Sequence, residues 1–120
     1  MSYAERLRAL ALGFPGAVEE HPWGEEPVFK AANRKIFVFG GADQPDGSCG
    51  MTVKLTPEEG VEALALPFVE RARYVGRYGW VTARVSNDFE WEVAEGFVRR
   101  SYELVTATSK RKRARLGQPG

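Results

Sequence analysis

Cys49-Gly50-Met51-Thr52-Val53-Lys54-Leu55-Thr56-Pro57-Glu58-Glu59 changes its period half-way along, and that change decides the fold class. From Cys49 to Leu55 apolar residues alternate with Gly50, Thr52 and Lys54, the pattern of a strand with one buried face. Thr56-Pro57-Glu58-Glu59 then reads as a helix start. Thr56 suits the N-cap, Pro57 loses nothing at the first helical position, and Glu59 completes a capping box. A strand that passes straight into a helix points to mixed α and β structure.

Working outward, that helix should run to about Leu66, where Pro67 ends it. Residues 68–74 read as a strand and residues 80–85 as another, joined by the turn-like Val75-Gly76-Arg77-Tyr78-Gly79. Asn87 or Asp88 then caps a long helix through Val105, with Val93, Phe97, Leu104 and Val105 on its expected inward face. Towards the N-terminus, Pro27-Val28-Phe29-Lys30 and Lys35-Ile36-Phe37-Val38-Phe39 are strands flanking Ala31-Ala32-Asn33-Arg34, and residues 40–47 fit a hairpin loop. Ser2 and Glu5 have capping-box spacing, and Tyr3, Leu7, Leu10 and Ala11 share one helical face before Gly13 and Pro15-Gly16 stop the helix. The expected order is αβββαββα. It describes a two-layer α+β domain with an antiparallel sheet of about five strands and helices on one face.

The 120 residues suit one domain, expected over residues 1–108, followed by a basic and disordered tail at 109–120. Hydrophobic residues are 43% and charged residues 28%, a globular balance. No apolar run approaches the ~20 residues of a membrane helix, so no membrane role is expected. The first residues lack a basic stretch followed by an apolar one, hence no signal peptide is apparent. Cys49 is the single cysteine, which excludes an internal disulfide and favours a reducing, cytoplasmic setting. Lys110, Arg111, Lys112, Arg113 and Arg115 take five of the 17 basic residues. The 12 that remain face 16 acidic residues, so the body up to Ser109 carries about −4. Polyanion affinity must therefore come from a local patch or from the tail.

Site chemistry narrows the choice further. One His and one Cys are too few soft ligands for a structural zinc site, and the acidic pairs Glu19-Glu20 and Glu25-Glu26 around His21 read as a solvated face, so no metal is expected. Cys49 lies in phase with Met51 and Val53, which makes it a small buried hydrophobe rather than a nucleophile. There is no G-x-G-x-x-G and no G-x-x-x-x-G-K to cradle a phosphate, and no cofactor is implied. No catalytic residue is assigned. His21, Trp23, Lys30 and Lys54 form a candidate pocket set, with Trp23 either a wall of that pocket or a lid on the sheet. Arg71, Arg73 and Arg77, with Tyr74 and Tyr78 interleaved, would share a face of a hairpin and offer guanidiniums to phosphates. The 110–115 run is either a nucleic-acid arm or a solubilising tail. Five phosphates neutralised there would give a logarithmic salt slope of about −4.5.

His21-Pro22-Trp23-Gly24, Phe29-Lys30, Lys35-Ile36-Phe37, Val53-Lys54, Gly79-Trp80 and Ser101-Tyr102-Glu103-Leu104-Val105 stand in the order and spacing of the MmcQ/YjbR family, which the chain resembles. The resemblance implies a two-layer fold of the secretion-chaperone-like kind and a DNA-binding role carried by two projecting hairpins, a double wing. It implies no reaction and no cofactor. The chain departs from the family in its acidic loop at 41–46, where Asp43 and Asp46 replace the basic residues of a phosphate-contacting wing. The expectation is thus a non-enzymatic cytosolic protein that holds DNA weakly through Arg71, Arg73, Tyr74, Arg77 and the tail cations. The competing expectation is a protein-interaction or adaptor module, as partner-bound chain or homodimer, with no nucleic-acid role.

Overall fold

Two capping boxes open the first two helices of the computed structural model, which describes residues 1–73 and 79–117, the last ten of these by backbone alone. In α1 (Tyr3–Leu12) the Ser2 hydroxyl accepts from the Glu5 N–H while Glu5 accepts from the Ser2 N–H. Thr56 and Glu59 do the same for α2 (Pro57–Ala63), which stops three residues before the expected end at Leu66. Six strands separate and follow them: β1 (Val18–Glu20), β2 (Val28–Lys30), β3 (Ile36–Asp43), β4 (Cys49–Lys54), β5 (Val69–Arg71) and β6 (Trp80–Val85). The last helix is α3 (Asp88–Gly117). Asn87 caps α3, its side chain accepting from the Glu90 N–H at 2.9 Å.

All strand pairs are antiparallel and the sheet order is β1-β2-β3-β4-β6-β5. The sheet therefore has six strands where about five were expected. The extra one is β1, a three-residue edge strand whose glutamates read as a solvated face beside a turn in the sequence. Strand β3 also continues to Asp43, through a register shift after Gly40, into what the sequence suggested was loop. The α+β class and the antiparallel sheet stand as expected.

Helices α1 and α3 pack on one face. Leu7 and Ala11 of α1, and Trp91, Ala94, Val98 and Val105 of α3, meet Met51, Val53, Val81 and Ala83 of the sheet. Full burial of a side chain such as Leu7 contributes roughly 1.5–3 kcal/mol. The buried stripe of α3 corrects the expected inward face: of Val93, Phe97, Leu104 and Val105 only Val105 is fully buried, and the other three flank the stripe. Ala94 and Ser101, too small or too polar to count in a hydrophobicity reading, are at the centre because small residues let the helix approach the sheet. The helix backbone runs to Gly117, beyond the expected end at Val105, so the expected tail at 109–120 falls on helical backbone and on the undescribed 118–120.

Ser101 is completely buried and replaces one rung of the sheet. Strands β3 and β4 pair in the register Val38 with Val53 and Phe39 with Thr52, which makes Phe37 and Lys54 the next pair. There the Ser101 hydroxyl donates to the Phe37 carbonyl at 2.6 Å and accepts from the Lys54 N–H at 2.8 Å. On the other side of β3 a register shift between Phe29 and Lys30 leaves Phe37 as the extra residue of a bulge. Phe37 and Val38 consequently both turn into the core, where Phe37 meets the edge of Phe14 and of Tyr102. Asn33 extends the attachment by donating to the Val105 carbonyl at 3.0 Å. Gly79 closes the other end: at φ 91° its carbonyl accepts from the Leu55 N–H, and an added Cβ would come within 2.2 Å of the Leu55 oxygen.

Replacing Ser101 by Ala strands the buried Phe37 carbonyl and the part-buried Lys54 N–H, each costing about 1–3 kcal/mol when unpaired. Urea unfolding of Ser101→Ala should show a loss of about 2–6 kcal/mol with an unchanged m-value. A loss below 0.5 kcal/mol would show that the rung is dispensable.

Candidate functional site

Alternation along the strands decides what lies on the face away from α1 and α3. Phe39, Thr52, Thr82 and Glu70 stand opposite one another across β3, β4, β6 and β5. The Thr52 and Thr82 hydroxyls hydrogen-bond at 2.7 Å. Val28, opposite Phe39 on β2, is 1% exposed yet stands apart from the core cluster, because it belongs to this second face. A groove of about 830 Å³ crosses the face from Phe39 to the β5 edge, with Gly40 and Gly50 leaving space along it. Its volume lies within the range of ligand sites.

Charge in the groove is uneven. Arg71, Arg73 and Arg84 line it together with Glu26 and Glu70. Arg84 donates to Glu70 through both Nε and Nη2, at 3.0 and 2.7 Å, so these two neutralise each other. Elsewhere Arg6, Arg8, Lys30, Arg99 and Arg100 are paired with Asp88, Glu19, Glu20, Glu95 and Glu59. Among the described residues Arg71 and Arg73 have no acidic partner, and both are exposed. Arg71, the last residue of β5, stands opposite Val81 of the core, so alternation starts its side chain on the side of α1 and α3, and Arg73 lies beyond the strand; both line the groove at its β5 edge.

Trp23 folds back over the opposite end. The connection Pro22-Trp23-Gly24 leaves β1 and turns through Gly24 at φ 112°, laying the indole above Phe39 with ring centroids 6.4 Å apart and planes at 17°. Trp80 meets the edge of Phe39 at 5.3 Å. Trp23 nevertheless remains 72% exposed. It covers Phe39 while leaving its own outer face in water.

The pocket set read from the sequence is dispersed. His21 lines a separate groove of about 280 Å³ beside α1, where its Nε2 lies 2.6 Å from Glu19. Lys30 is paired with Glu20 at 2.8 Å, and Lys54 stands opposite Trp80 on β4 and β6. Neither of these lysines nor Trp23 lines either groove. Cys49 is fully buried, and burial pushes its thiol up to about 12, which suits packing and not nucleophilic work. No group of three or more His, Cys, Asp or Glu among the described residues is placed to hold a metal ion. No described helix is long and apolar enough to cross a membrane. Tyr74, Arg77 and Tyr78 lie outside the described residues, as do the side chains of Lys110, Arg111, Lys112, Arg113 and Arg115. The acidic loop has local work: Asp43 accepts from the Ala4 N–H at the start of α1, and Asp46 accepts from the Ser48 N–H and hydroxyl. Phe39, Thr52, Thr82 and Arg84 were not singled out by sequence reasoning. Strand alternation carries their signal, but the bulge at Phe37 hides which face Phe39 takes.

The YjbR family model matches residues 12–104. The chain belongs to the YjbR family. Its fold is similar to that of the Deinococcus radiodurans protein DR2400, described as a DUF419 domain, at 27% identity and a TM-score of 0.76 over 99% of this chain and 91% of that one. A Pseudomonas syringae protein shares the fold at 16% identity and a TM-score of 0.64, covering 83% of this chain and 96% of that one. No curated protein matches significantly. The residues that mark this YjbR chain now have physical roles: Ser101 holds the sheet rung, Tyr102 stacks on Phe14 at 4.2 Å, and Gly79 fits where a Cβ cannot.

Hydrogen bonds from Arg8 are the chief reason the Glu19 carboxyl is held below its ordinary value; burial opposes them and His21 adds to them. A depressed folded value means the stabilisation is present above the unfolded value of about 4.5 and is lost as pH falls through the folded one. Glu19→Gln should cost about 1 kcal/mol at pH 7 and flatten the acid limb of a stability–pH curve below about pH 4.5, as read by urea midpoints. An acid limb as steep as the parent's would remove Glu19 from the account.

Proposed function

We propose that this protein is a non-enzymatic DNA-binding protein that holds the phosphodiester backbone along the helix-free face of its sheet. The observation that carries the reading is the pair Arg71 and Arg73, free of acidic partners on the wall of the groove in a body whose other described arginines, apart from Arg34, are neutralised. A body of net charge about −4 repels DNA as a whole, so binding requires cations concentrated where the strand lies. Guanidinium suits that task because its planar donors match phosphate oxygens. Thr52 and Thr82 supply further hydroxyls on the floor, and the basic run at 110–115 adds a second, sequence-tolerant attraction. Glu26, on the groove's wall, opposes phosphate and sets a limit on affinity.

The test is a salt series with labelled 20-mer DNA, single- and double-stranded, read by fluorescence anisotropy. Each phosphate contact removed lowers the logarithmic salt slope by about 0.9 on the duplex and about 0.7 on the single strand, so Arg71→Ala with Arg73→Ala should lower it by about 1.8 and about 1.4 respectively. Glu26→Gln should tighten binding. Gly50→Val should weaken it by filling the groove, since a Cβ at Gly50 approaches nothing closer than Arg84 at 4.0 Å. A chain with Lys110, Arg111, Lys112, Arg113 and Arg115 changed to Gln separates the tail from the sheet. Absence of binding at 50 mM salt, or binding indifferent to Arg71 and Arg73, would leave the adaptor role as the better reading.

A further inference from the structure

From the aromatic cluster beside the Phe39 end of the groove we infer that the DNA bound on this face is single-stranded, with an unpaired base stacked on the outer face of Trp23, which neighbours Phe39 without lining the groove. The inference rests on the reading of the helix-free face as a DNA surface and adds the form of the ligand. Packing alone does not account for Trp23. A tryptophan whose task was to cover Phe39 would be expected to bury most of its own surface, yet Trp23 lies nearly parallel to Phe39 and stays 72% exposed. Pro22 restricts the backbone on one side of it, and Gly24 takes a left-handed conformation on the other, with open space around its Cα. The indole lies nearly parallel to Phe39 with centroids 6.4 Å apart, and Trp80 meets Phe39 in a T-shaped arrangement at 5.3 Å.

The arrangement of groups on the face fits one strand better than two. Free guanidiniums stand at the β5 edge and the aromatic platform at β3, with β6 and β4 between them, a span of roughly 14 Å at about 4.8 Å per strand. A backbone anchored at Arg71 and Arg73 and crossing the Thr82 and Thr52 hydroxyls reaches Phe39 and Trp23 within a few nucleotides. In a duplex the base faces are stacked on one another and closed to an indole. In a single strand they are open, and stacking on an aromatic ring is tolerant of sequence.

Tryptophan fluorescence and anisotropy titrations of the full chain with a dT oligonucleotide, beside a duplex of the same length at 50 mM salt, test this. Trp91 is buried and Trp80 half-buried, so quenching that disappears in Trp23→Ala belongs to Trp23. The expected result is preference for the single strand and quenching on binding. Affinity should fall about 10-fold or more in Trp23→Ala, with Trp23→Phe within about threefold of the parent. Equal or stronger duplex binding, with Trp23→Ala indistinguishable from the parent, overturns the inference while leaving the phosphate-binding reading in place. Failure of both probes to bind overturns the two together.

Discussion

A single buried hydroxyl fixes the relation between the two layers of this protein. Ser101 sits where Phe37 and Lys54 would otherwise form the next rung between β3 and β4, and it satisfies both backbone groups from α3. A helix joined to a sheet by side-chain contact alone can slide by a residue at modest cost. A helix whose hydroxyl replaces a ladder bond cannot, because any shift leaves a buried carbonyl and a part-buried N–H unpaired. The register of α3 then sets its neighbours: Tyr102 against Phe14 and Phe37, Arg100 on Glu59, and the Val105 carbonyl on Asn33. Glu59 is at once the box residue of α2 and the partner of Arg100, and its carboxyl is held below the ordinary value by the Thr56 N–H first and by Arg100 next.

With α1 and α3 committed to one face, the other face of the sheet is left to polar and half-buried side chains. Its composition differs from that of a merely solvated surface. Glycines at 40 and 50 leave space, threonines on neighbouring strands bond to each other, and Glu70, the acid of β5 itself, is taken by Arg84. Most other described cations serve as structural partners for acids. Arg71 and Arg73 share with Arg34, Lys35 and Lys54 the absence of such a partner among the described residues, but they alone of these five line the groove, which gives them a capacity to meet an anion.

Much of the fold was legible because its signals are local. The Ser2/Glu5 and Thr56/Glu59 boxes, the alternation from Cys49 to Leu55, and the strand from Trp80 to Val85 depend on neighbours in sequence, and each matches the structure. What was missed depends on partners far along the chain. Strand β1 exists because β2 lies beside it, and nothing in Val18-Glu19-Glu20 alone announces a strand. Ser101 and Ala94 are central to α3 for reasons of fit, so a hydrophobic reading placed Val93 and Phe97 there instead. Of the candidate site, the sequence singled out Arg71 and Arg73, and both line the groove, although the strand ends at Arg71 and a shared strand face does not bring them there. Phe39 and Arg84 were not, since a bulge and a cross-strand ion pair decide where they face and what they bind.

The account turns on the helix-free sheet face being the working surface. Two-dimensional ¹H–¹⁵N correlation spectra recorded during addition of a dT oligonucleotide at low salt test that most directly. The account predicts that the largest shifts fall on the amides of Phe39, Thr52, Arg71, Thr82 and Arg84, with those of Leu7, Ala94 and Val98 unmoved. Shifts confined to α1 and the body of α3, with the sheet face silent, would contradict it.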